Sequence, residues 1–234
     1  MAELSVEYLG GSGFLIRMGE NGLLFDCSEN GADERKIPDE ETLSSFESLT
    51  VFVSHAHEDH FSPEVLKICP PQTRFIFGFD VPEEYAGKHM HPGDVYETGR
   101  LKVTAFDSTD DGVSFLVETD GVTLFHAGDL NWWHWRDTST IAEIEESEAN
   151  FRKCVDPIPS ETIDLAFFPV DPRQGSMYDA GAGYFVMEKK PRILIPMHFQ
   201  GRPDAARRFA LTSETVNTRI EVLSKAGEQM ILQL

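Results

Sequence analysis

The sequence predicts an α/β protein of the α+β type, with two β-sheets packed face to face and helices on their outer sides. Short apolar segments bounded by turn residues recur in both halves of the 234-residue chain, which is typical of strands joined by tight turns. Helical segments lie between these strands in each half. Neither regular βαβ alternation nor an all-β protein fits this order, so two sheets with outer helices are the predicted architecture.

The first half of the chain predicts five strands, at residues 4–9, 13–18, 23–27, 50–54 and 73–78. The first two are joined by Gly-Gly-Ser-Gly at residues 10–13. We interpret this segment as a hairpin turn, because a phosphate-binding loop would end in Lys-Ser/Thr and open a helix. The Asn-Gly pair at residues 21–22 indicates a second hairpin. Residues 38–48 predict a helix, and another begins at Pro63 with Ser62 as its N-cap.

The second half predicts six strands, at residues 101–107, 113–119, 122–126, 163–170, 192–197 and 230–234. The Asp-Gly pair at residues 120–121 indicates a hairpin. Segment 163–170 is almost wholly apolar, which indicates a strand buried on both faces. Helices are predicted at residues 139–155, 180–190, 204–211 and 213–226. The last of these depends on the helical spacing of its apolar residues and on Gly227 as a C-cap.

Composition and charge restrict the classes of partner. The net charge is −20, from 20 Lys and Arg against 40 Asp and Glu, and so acidic a surface repels phosphate backbones. We therefore expect a small-molecule substrate, with no extended nucleic acid and no membrane as partner; monomer and homo-oligomer both remain open. No apolar segment of about eighteen residues is present to span a bilayer, and the first residues lack the pattern of a signal peptide. The three cysteines show no paired spacing, which indicates the reducing cytoplasm.

The segment after the predicted strand 50–54 is dense in metal-binding side chains. Four potential ligands fall within six residues: His55, His57, Asp59 and His60. Residues two apart in an extended segment point to the same side, so His55 and His57 can reach one ion. Where the chain turns, Asp59 and His60 can approach a second position. Imidazole and carboxylate ligands suit Zn²⁺, Mn²⁺ or iron, and packing in a core does not explain three histidines and an aspartate at this density.

The string from His55 to His60, His-x-His-x-Asp-His, resembles the signature of the metallo-β-lactamase-fold hydrolases. Asp26 resembles the acid that ends an early strand and supports the metal loop in that family. Asp129, in a Gly-Asp turn, resembles the acid that bridges two ions, and His198, directly after a predicted strand, resembles the final metal-binding histidine. The resemblance covers nearly the whole chain in the family's order. It is strongest to the compact branch that includes the ascorbate-6-phosphate lactonase.

This resemblance implies a single domain at residues 1–234 with the four-layer αββα sandwich of the family. It also implies a one- or two-metal site with the ligands His55, His57, Asp59, His60, Asp129 and His198. In the family the first two histidines hold one ion, Asp129 lies between the ions, and the other three ligands hold the second. Such ions lie about 3.5–4 Å apart and activate a bridging water, which Asp59 would orient or deprotonate as the catalytic residue. Zn²⁺ is the expected metal, with Mn²⁺ and iron as alternatives.

The implied function is metal-dependent hydrolysis of a small, anionic ester, lactone or phosphoester. The sequence departs from the family at one point, because no histidine follows the predicted strand 101–107, where another metal ligand is usual. Three explanations remain open: Asp110, or with less support Asp107, supplies an oxygen ligand; His134 replaces the missing ligand; or the first metal position is weak. The departure also leaves open a non-catalytic metal-binding or regulatory protein of the same fold.

Several residues near these motifs are candidate substrate ligands. Trp132 and Trp133 indicate an aromatic wall beside the site, and Arg173 and Arg202 are candidates for binding a carboxylate or phosphate. Ordinary packing explains the tryptophans equally well, and surface exposure explains each arginine. His126 is expected to pack below the site or to support its ligands from behind.

Overall fold

In the computed structural model, which describes residues 3–234, the strands form two seven-stranded sheets. In spatial order, the first sheet contains β14 (Gln229–Gln233), β1 (Glu3–Gly10), β2 (Gly13–Met18), β3 (Asn21–Phe25), β4 (Ser48–Val53), β5 (Arg74–Gly78) and β6 (Lys88–Met90). The second contains β13 (Arg219–Ile220), β12 (Ile193–Met197), β11 (Leu165–Pro169), β10 (Val122–His126), β9 (Ser114–Thr119), β8 (Leu101–Phe106) and β7 (Val95–Thr98). Both sheets combine parallel and antiparallel neighbours, so the predicted mixed sheets are confirmed.

The described chain contains the helices α1 (Glu40–Ser44), α2 (Pro63–Ile68), α3 (Ile141–Val155), α4 (Ala180–Lys189) and α5 (Pro203–Ser213). Leu43 of α1 and Val65 of α2 pack against outward-facing residues of the first sheet. Neighbouring residues of a strand point to opposite faces, so Phe168 of β11 packs on Phe185 of α4 while Phe167 faces the other sheet. Helices thus cover the outer face of each sheet, and the predicted αββα sandwich is confirmed. None of these helices is long and apolar enough to cross a membrane.

Aromatic side chains fill the space between the two sheets. The ring centroids of Phe14 and Phe167 lie 4.2 Å apart and those of Phe52 and Phe115 lie 5.5 Å apart, each pair joining one sheet to the other. Phe25 stacks on Phe52 at 4.5 Å. Full burial of such a side chain stabilises a fold by about 1.5–3 kcal/mol. This core therefore gives rigid support to the central strands, whose ends carry the candidate site.

The predicted hairpins form, one of them with a shifted turn. The turns at residues 10–13 and 120–121 lie where they were predicted, and both residues of the second turn have positive φ, as its turn type requires. The hairpin predicted at residues 21–22 also forms. Residue 21 is already paired in β3, however, so the turn is the preceding Gly-Glu pair, whose glycine supplies the positive φ.

The helix predicted at residues 213–226 is wrong. Thr215 Oγ1 accepts the backbone N–H groups of Asn217 and Thr218, which forms a local turn in place of helical hydrogen bonds. Ile220 then pairs with β12 as part of β13. The helical spacing of apolar residues in this segment was therefore misleading, because the edge of the second sheet offered backbone partners that the spacing does not reveal.

The helix predicted at residues 38–48 forms only over α1. Asp39 caps it by accepting the Thr42 backbone N–H at 2.8 Å. The last residue of the predicted range, Ser48, already begins β4, where it pairs with Asn21 of β3. Sheet pairing therefore limits the helix to a little more than one turn.

Candidate metal centre

The predicted ligands meet at one edge of the sandwich, just beyond the ends of its central strands. His55 follows β4, Asp129 follows β10, and His198 follows β12 directly. Two sharp turns direct these residues inward, with positive φ at Gly128 (55°) and at His198 (58°). A positive φ is uncommon for a residue with a side chain. The His198 backbone is held in it by its N–H, which donates to the Gly11 carbonyl at 2.9 Å.

Two groups of ligand atoms surround the carboxylate of Asp129. One group consists of His55, His57 and Asp129, and the other of Asp59, His60 and His198; within each group the ligand atoms lie within 4.8 Å of one another. Asp129 Oδ1 lies 3.1 Å from His60 Nε2 and 3.5 Å from His198 Nε2, whereas its Oδ2 lies 3.8 Å from His55 Nε2. Asp129 therefore lies between two candidate metal positions, in the arrangement that the family resemblance implies.

The polar atoms at the centre of this arrangement fit a metal ion. His55 Nε2, His60 Nε2 and Asp129 Oδ1 are buried, and none of them forms a hydrogen bond within residues 3–234. Buried polar atoms are seldom left unpaired. Imidazole nitrogens and a carboxylate oxygen that converge without hydrogen bonds are the donor set of a Zn²⁺, Mn²⁺ or iron site.

Neighbouring side chains orient the imidazoles. When neutral, His60 donates its Nδ1–H to Asp26 Oδ2 at 2.8 Å and His198 donates to Asp171 Oδ2 at 3.2 Å, which leaves each Nε2 lone pair directed into the site. His55 Nδ1 lies 2.9 Å from the Ser54 hydroxyl. Asp26 is fully buried and also accepts the backbone N–H and the hydroxyl of Ser54, at 2.7 and 2.6 Å. It therefore supports the metal loop, as the family resemblance implies.

In the metal-free protein, protons on two histidines balance the buried carboxylates. Burial alone would lower the pKa of His198, but Asp129 and Asp171 outweigh it and raise this pKa to about 9. Asp129 and Asp26 likewise raise the pKa of His60 well above its ordinary value against the effect of burial. His55 is different, because burial and the neighbouring His60 lower its pKa to about 4. A metal ion at the second position must therefore displace protons, whereas His55 is already neutral.

Two acids that the sequence analysis did not single out hold the ligands in place. Asp171 follows β11 and accepts hydrogen bonds from both His198 and Arg173. Asp80 follows β5 closely, and its Oδ2 accepts the Ala56 backbone N–H at 2.8 Å, between the two histidines of the first group. Both acids come just after the carboxyl end of a strand, at the edge that carries the site. That position was the signal that could have found them.

Arg35 supports the same loops from another direction. Its Nη1 donates to the Gly10 carbonyl at 3.0 Å and approaches the Asp59 carbonyl at 3.4 Å. A Cβ atom at Gly11 would lie 1.9 Å from this Nη1, so only glycine leaves room for the guanidinium. Because Gly11 also accepts the His198 N–H, Arg35 connects two ligand-bearing segments. Nothing in the local sequence marks this residue.

The candidate substrate ligands occupy different surroundings. Trp133 donates its Nε1–H to the Asp129 carbonyl at 3.1 Å, and its ring lies edge-on to His198 at 6.0 Å, beside the site. Trp132 instead turns toward α3, where it donates to Ser147 and stacks on Phe151. Of the two tryptophans in the predicted aromatic wall, Trp133 therefore lies beside the site and the other does not.

Of the two arginines, Arg173 lies near the site, whereas the Arg202 side chain makes no polar contact with the described site residues. Arg173 contacts Asp171 through its Nε and Nη2, and its side chain is half exposed. Arg202 is exposed and forms no side-chain hydrogen bond or ion pair with any residue between Glu3 and Leu234.

The two candidate replacements for the missing histidine also have different surroundings. His134 is buried edge-on against Trp132 at 5.3 Å and belongs to none of the ligand groups found within residues 3–234. Asp110 belongs to a third group with His57 and Asp111. Burial and the nearby Asp129 raise the pKa of Asp110. Asp110 thus shares His57 with the first group, whereas His134 shares no residue with any ligand group found within residues 3–234.

His126 packs below the site, as expected. Its ring stacks on Phe25 at 5.0 Å, and its Nε2 lies 2.8 Å from the Ser12 carbonyl. Its Nδ1 accepts the Gly128 N–H at 3.2 Å, at the turn before Asp129. Burial lowers the pKa of His126, so it is a neutral support for that turn.

Comparisons with known sequences show the family of the chain. The model of a family described as Beta-lactamase superfamily domain matches residues 5–146, which is more than half of the chain. A relative described as a UPF0173 metal-dependent hydrolase, from Thermococcus kodakarensis, is 26% identical over 249 residues, and the match covers 98% of this chain and 100% of the relative.

Solved structures show the same fold. Igni18, a metallo hydrolase from the archaeon Ignicoccus hospitalis, is 19% identical with a TM-score of 0.72, covering 99% of both chains. CmlA, a diiron β-hydroxylase from Streptomyces venezuelae, is 13% identical with a TM-score of 0.61, covering 99% of this chain and 54% of that one. At these identities the likeness concerns the fold alone, and the second example shows that one fold can carry different reactions.

Proposed function

Because the chain belongs to the metallo-β-lactamase superfamily, we propose that it is a metal-dependent hydrolase that cleaves a small, anionic ester, lactone or phosphoester with an activated water. The observation that carries this proposal is the convergence of His55 Nε2, His60 Nε2 and Asp129 Oδ1, all buried and without hydrogen bonds. The relative from Thermococcus kodakarensis, described as a metal-dependent hydrolase, supports the same reaction class.

All six candidate ligands would hold an ion, and one of them would also face the substrate. His55, His57 and Asp129 would hold the first ion, and Asp59, His60 and His198 the second. When bound, such ions lower the pKa of a water molecule and polarise a carbonyl or phosphoryl oxygen. Zn²⁺ suits these ligands best, with Mn²⁺ and iron as alternatives.

Asp59 would be the catalytic carboxylate. Its side chain is 29% exposed, whereas those of His60 and His198 are almost wholly buried. Its Oδ2 lies 3.7 Å from His198 Nε2, at the edge of the second group. A carboxylate there can accept a hydrogen bond from the attacking water and orient it toward the substrate.

Arg173 and Trp133 would bind the substrate. Arg173 Nη1 makes no hydrogen bond within residues 3–234, since Asp171 contacts only Nε and Nη2. This free edge of the guanidinium suits an anionic oxygen, and the ring of Trp133 beside His198 suits the apolar part of a small molecule. The acidic surface disfavours an extended nucleic acid as substrate. The three free cysteines suit a cytoplasmic location.

The test is turnover of simple substrates by the metal-loaded protein. A panel of lactones, phosphodiesters and thioesters is assayed with the wild type, with His57→Ala and with the control His91→Ala, which replaces an exposed histidine that stacks on Phe79. We expect at least one substrate class to be hydrolysed, with the activity lost in His57→Ala and retained in His91→Ala. Metal binding without turnover of any class would contradict the hydrolase and favour a non-catalytic metal-binding or regulatory protein.

A further inference from the structure

We propose that Asp110 completes the first metal position in place of the histidine usual in the family, so that this position has two nitrogen and at least two oxygen donors. This inference rests on the proposed function and specifies the metal that the first position prefers. A set of three imidazoles suits Zn²⁺, whereas added carboxylates favour Mn²⁺ or Fe²⁺ relative to it.

The geometry that carries the proposal is centred on His57. It belongs both to the group with His55 and Asp129 and to the group with Asp110 and Asp111, and within each group the ligand atoms lie within 4.8 Å of one another. His57 therefore joins the acid pair to the buried part of the first position. Its Nε2 lies 3.3 Å from Asp111 Oδ2.

The buried side of this position independently indicates a cation. His55 is wholly buried and Asp129 is 6% exposed, yet His55 Nε2 and Asp129 Oδ1 have no hydrogen-bond partner within residues 3–234. Asp110 is close enough to Asp129 for the two carboxylates to repel each other. A divalent ion between them would remove that repulsion and satisfy the unpaired atoms.

The loop that carries Asp110 is tied to both neighbouring ligand loops. Thr109 Oγ1 donates to the Asn131 carbonyl at 2.6 Å, two residues after Asp129. On the other side, the Val113 N–H donates to the Ser54 carbonyl at 3.0 Å, next to His55. These bonds fix the backbone on both sides of Asp110, whose exposed side chain is thereby carried between the two ligand loops.

Gly112 allows the loop that carries Asp110 to lie close to the backbone of Ser54. Its φ is +72°, and a Cβ atom there would lie 2.1 Å from the Ser54 carbonyl oxygen. Any larger residue would push the loop, and with it the acid pair, away from His55.

Metal titration of chelator-treated protein tests the proposal without using activity. Mn²⁺ binding is followed by electron paramagnetic resonance and Zn²⁺ binding by elemental analysis, for the wild type, Asp110→Ala and the control Asp107→Ala. Asp107 lies in the same exposed loop, and among residues 3–234 its Oδ1 accepts only the adjacent Ser108 N–H. We expect two metal equivalents in the wild type and in Asp107→Ala. In Asp110→Ala we expect one equivalent to remain and the other to bind at least tenfold more weakly.

A second variant tests the metal preference. Asp110→His supplies the third imidazole, and we expect it to raise the ratio of Zn²⁺ to Mn²⁺ affinity at the first position at least tenfold. If Asp110→Ala has native circular dichroism and still binds two metal equivalents with unchanged affinity, this inference is overturned and the proposed hydrolase remains intact. No metal binding by the wild type would overturn both.

Discussion

The two halves of the candidate metal centre differ in burial and in the support of their ligands. In the second half, His60 and His198 are almost wholly buried, and each is hydrogen-bonded through Nδ1 to an acid that is itself buried, Asp26 or Asp171. In the first half, His55 is equally buried, but the His57 side chain is 47% exposed and pairs with an exposed acid. The two halves thus use similar ligand types in different surroundings.

From this difference we infer that similar ligands would hold two ions with unequal affinity, because the groups behind the ligands differ. An acid behind an imidazole fixes its orientation and tautomer, and losing such an acid typically weakens metal binding about 10–100-fold. Exposed ligands also lose side-chain freedom when an ion orders them. We therefore expect the second half to hold its ion more tightly than the first.

The largest effect is expected from Asp129→Ala, which removes the carboxylate shared by the two halves. Both metal equivalents should be lost, because Asp129 lies within 4 Å of ligand atoms from each half. Hydrolysis should fall by about 10³-fold or more, since bound metal supplies several kcal/mol of transition-state stabilisation. Elemental analysis and initial rates measure the two effects. Retention of a full equivalent in either half would show that Asp129 does not bridge them.

Asp26→Ala should destabilise the second half and the fold together. The buried carboxylate accepts hydrogen bonds from His60 and from two groups of Ser54, so its removal leaves these donors unpaired. Removing one partner of a buried charged pair costs about 3–5 kcal/mol. Denaturant unfolding of the metal-free protein measures this loss. The control Asp39→Ala removes an exposed helix cap and should destabilise the fold much less than Asp26→Ala; equal losses in both variants would contradict the structural role of Asp26.

Asp171→Asn should weaken only the second half. The substitution removes the charged acceptor of the His198 Nδ1–H while keeping the size of the side chain. We expect metal affinity to fall about 10–100-fold at the second position, with the first position unchanged as the internal control. Isothermal titration calorimetry distinguishes the two. An equal loss at both positions would indicate a general disturbance of the loop.

The pH dependence of metal binding should also differ between the halves. In the metal-free protein the pKa of His198 is about 9, so this residue carries a proton below that pH and must release it to bind metal. The pKa of His60 is also raised, so the affinity of the second half should fall by up to tenfold per pH unit for each of these two histidines as pH decreases from about 9 to 7. His55, with a pKa of about 4, is neutral over the same range. Titration calorimetry in buffers of different ionisation enthalpy counts the released protons; no release at pH 7.5 would contradict this account.

The sequence brought together the candidate ligands but not their supporting acids, for a physical reason. His55, His57, Asp59 and His60 form a local string, and strand order placed Asp129 and His198 at the same edge. The supports Asp80 and Asp171 are brought in by neighbouring strands, so no local pattern connects them to the ligands. Asp110 was one of three open explanations, and only the folded loop distinguishes it from His134.

The errors in the predicted fold have the same origin. Residues 213–226 carry helical spacing, yet the open edge of β12 gives Ile220 a strand partner, and Thr215 forms a local turn first. Elsewhere the predicted strands agree with the structure because their patterns of apolar residues and their turns are encoded in the local sequence. The β9–β10 hairpin is an example. Local patterns therefore predicted the elements, and long-range pairing decided where they failed.

The most direct test of the account is stepwise removal of metal by a competing chelator from the fully loaded protein, with the bound metal counted at each step. We expect two separate steps in the wild type, the first ion leaving at least tenfold more readily than the second. His57→Ala should lose the weaker step and keep the tighter one, and His198→Ala should lose the tighter one. A single step in which both ions leave together, or loss of the tighter ion in His57→Ala, would contradict the unequal support of the two halves.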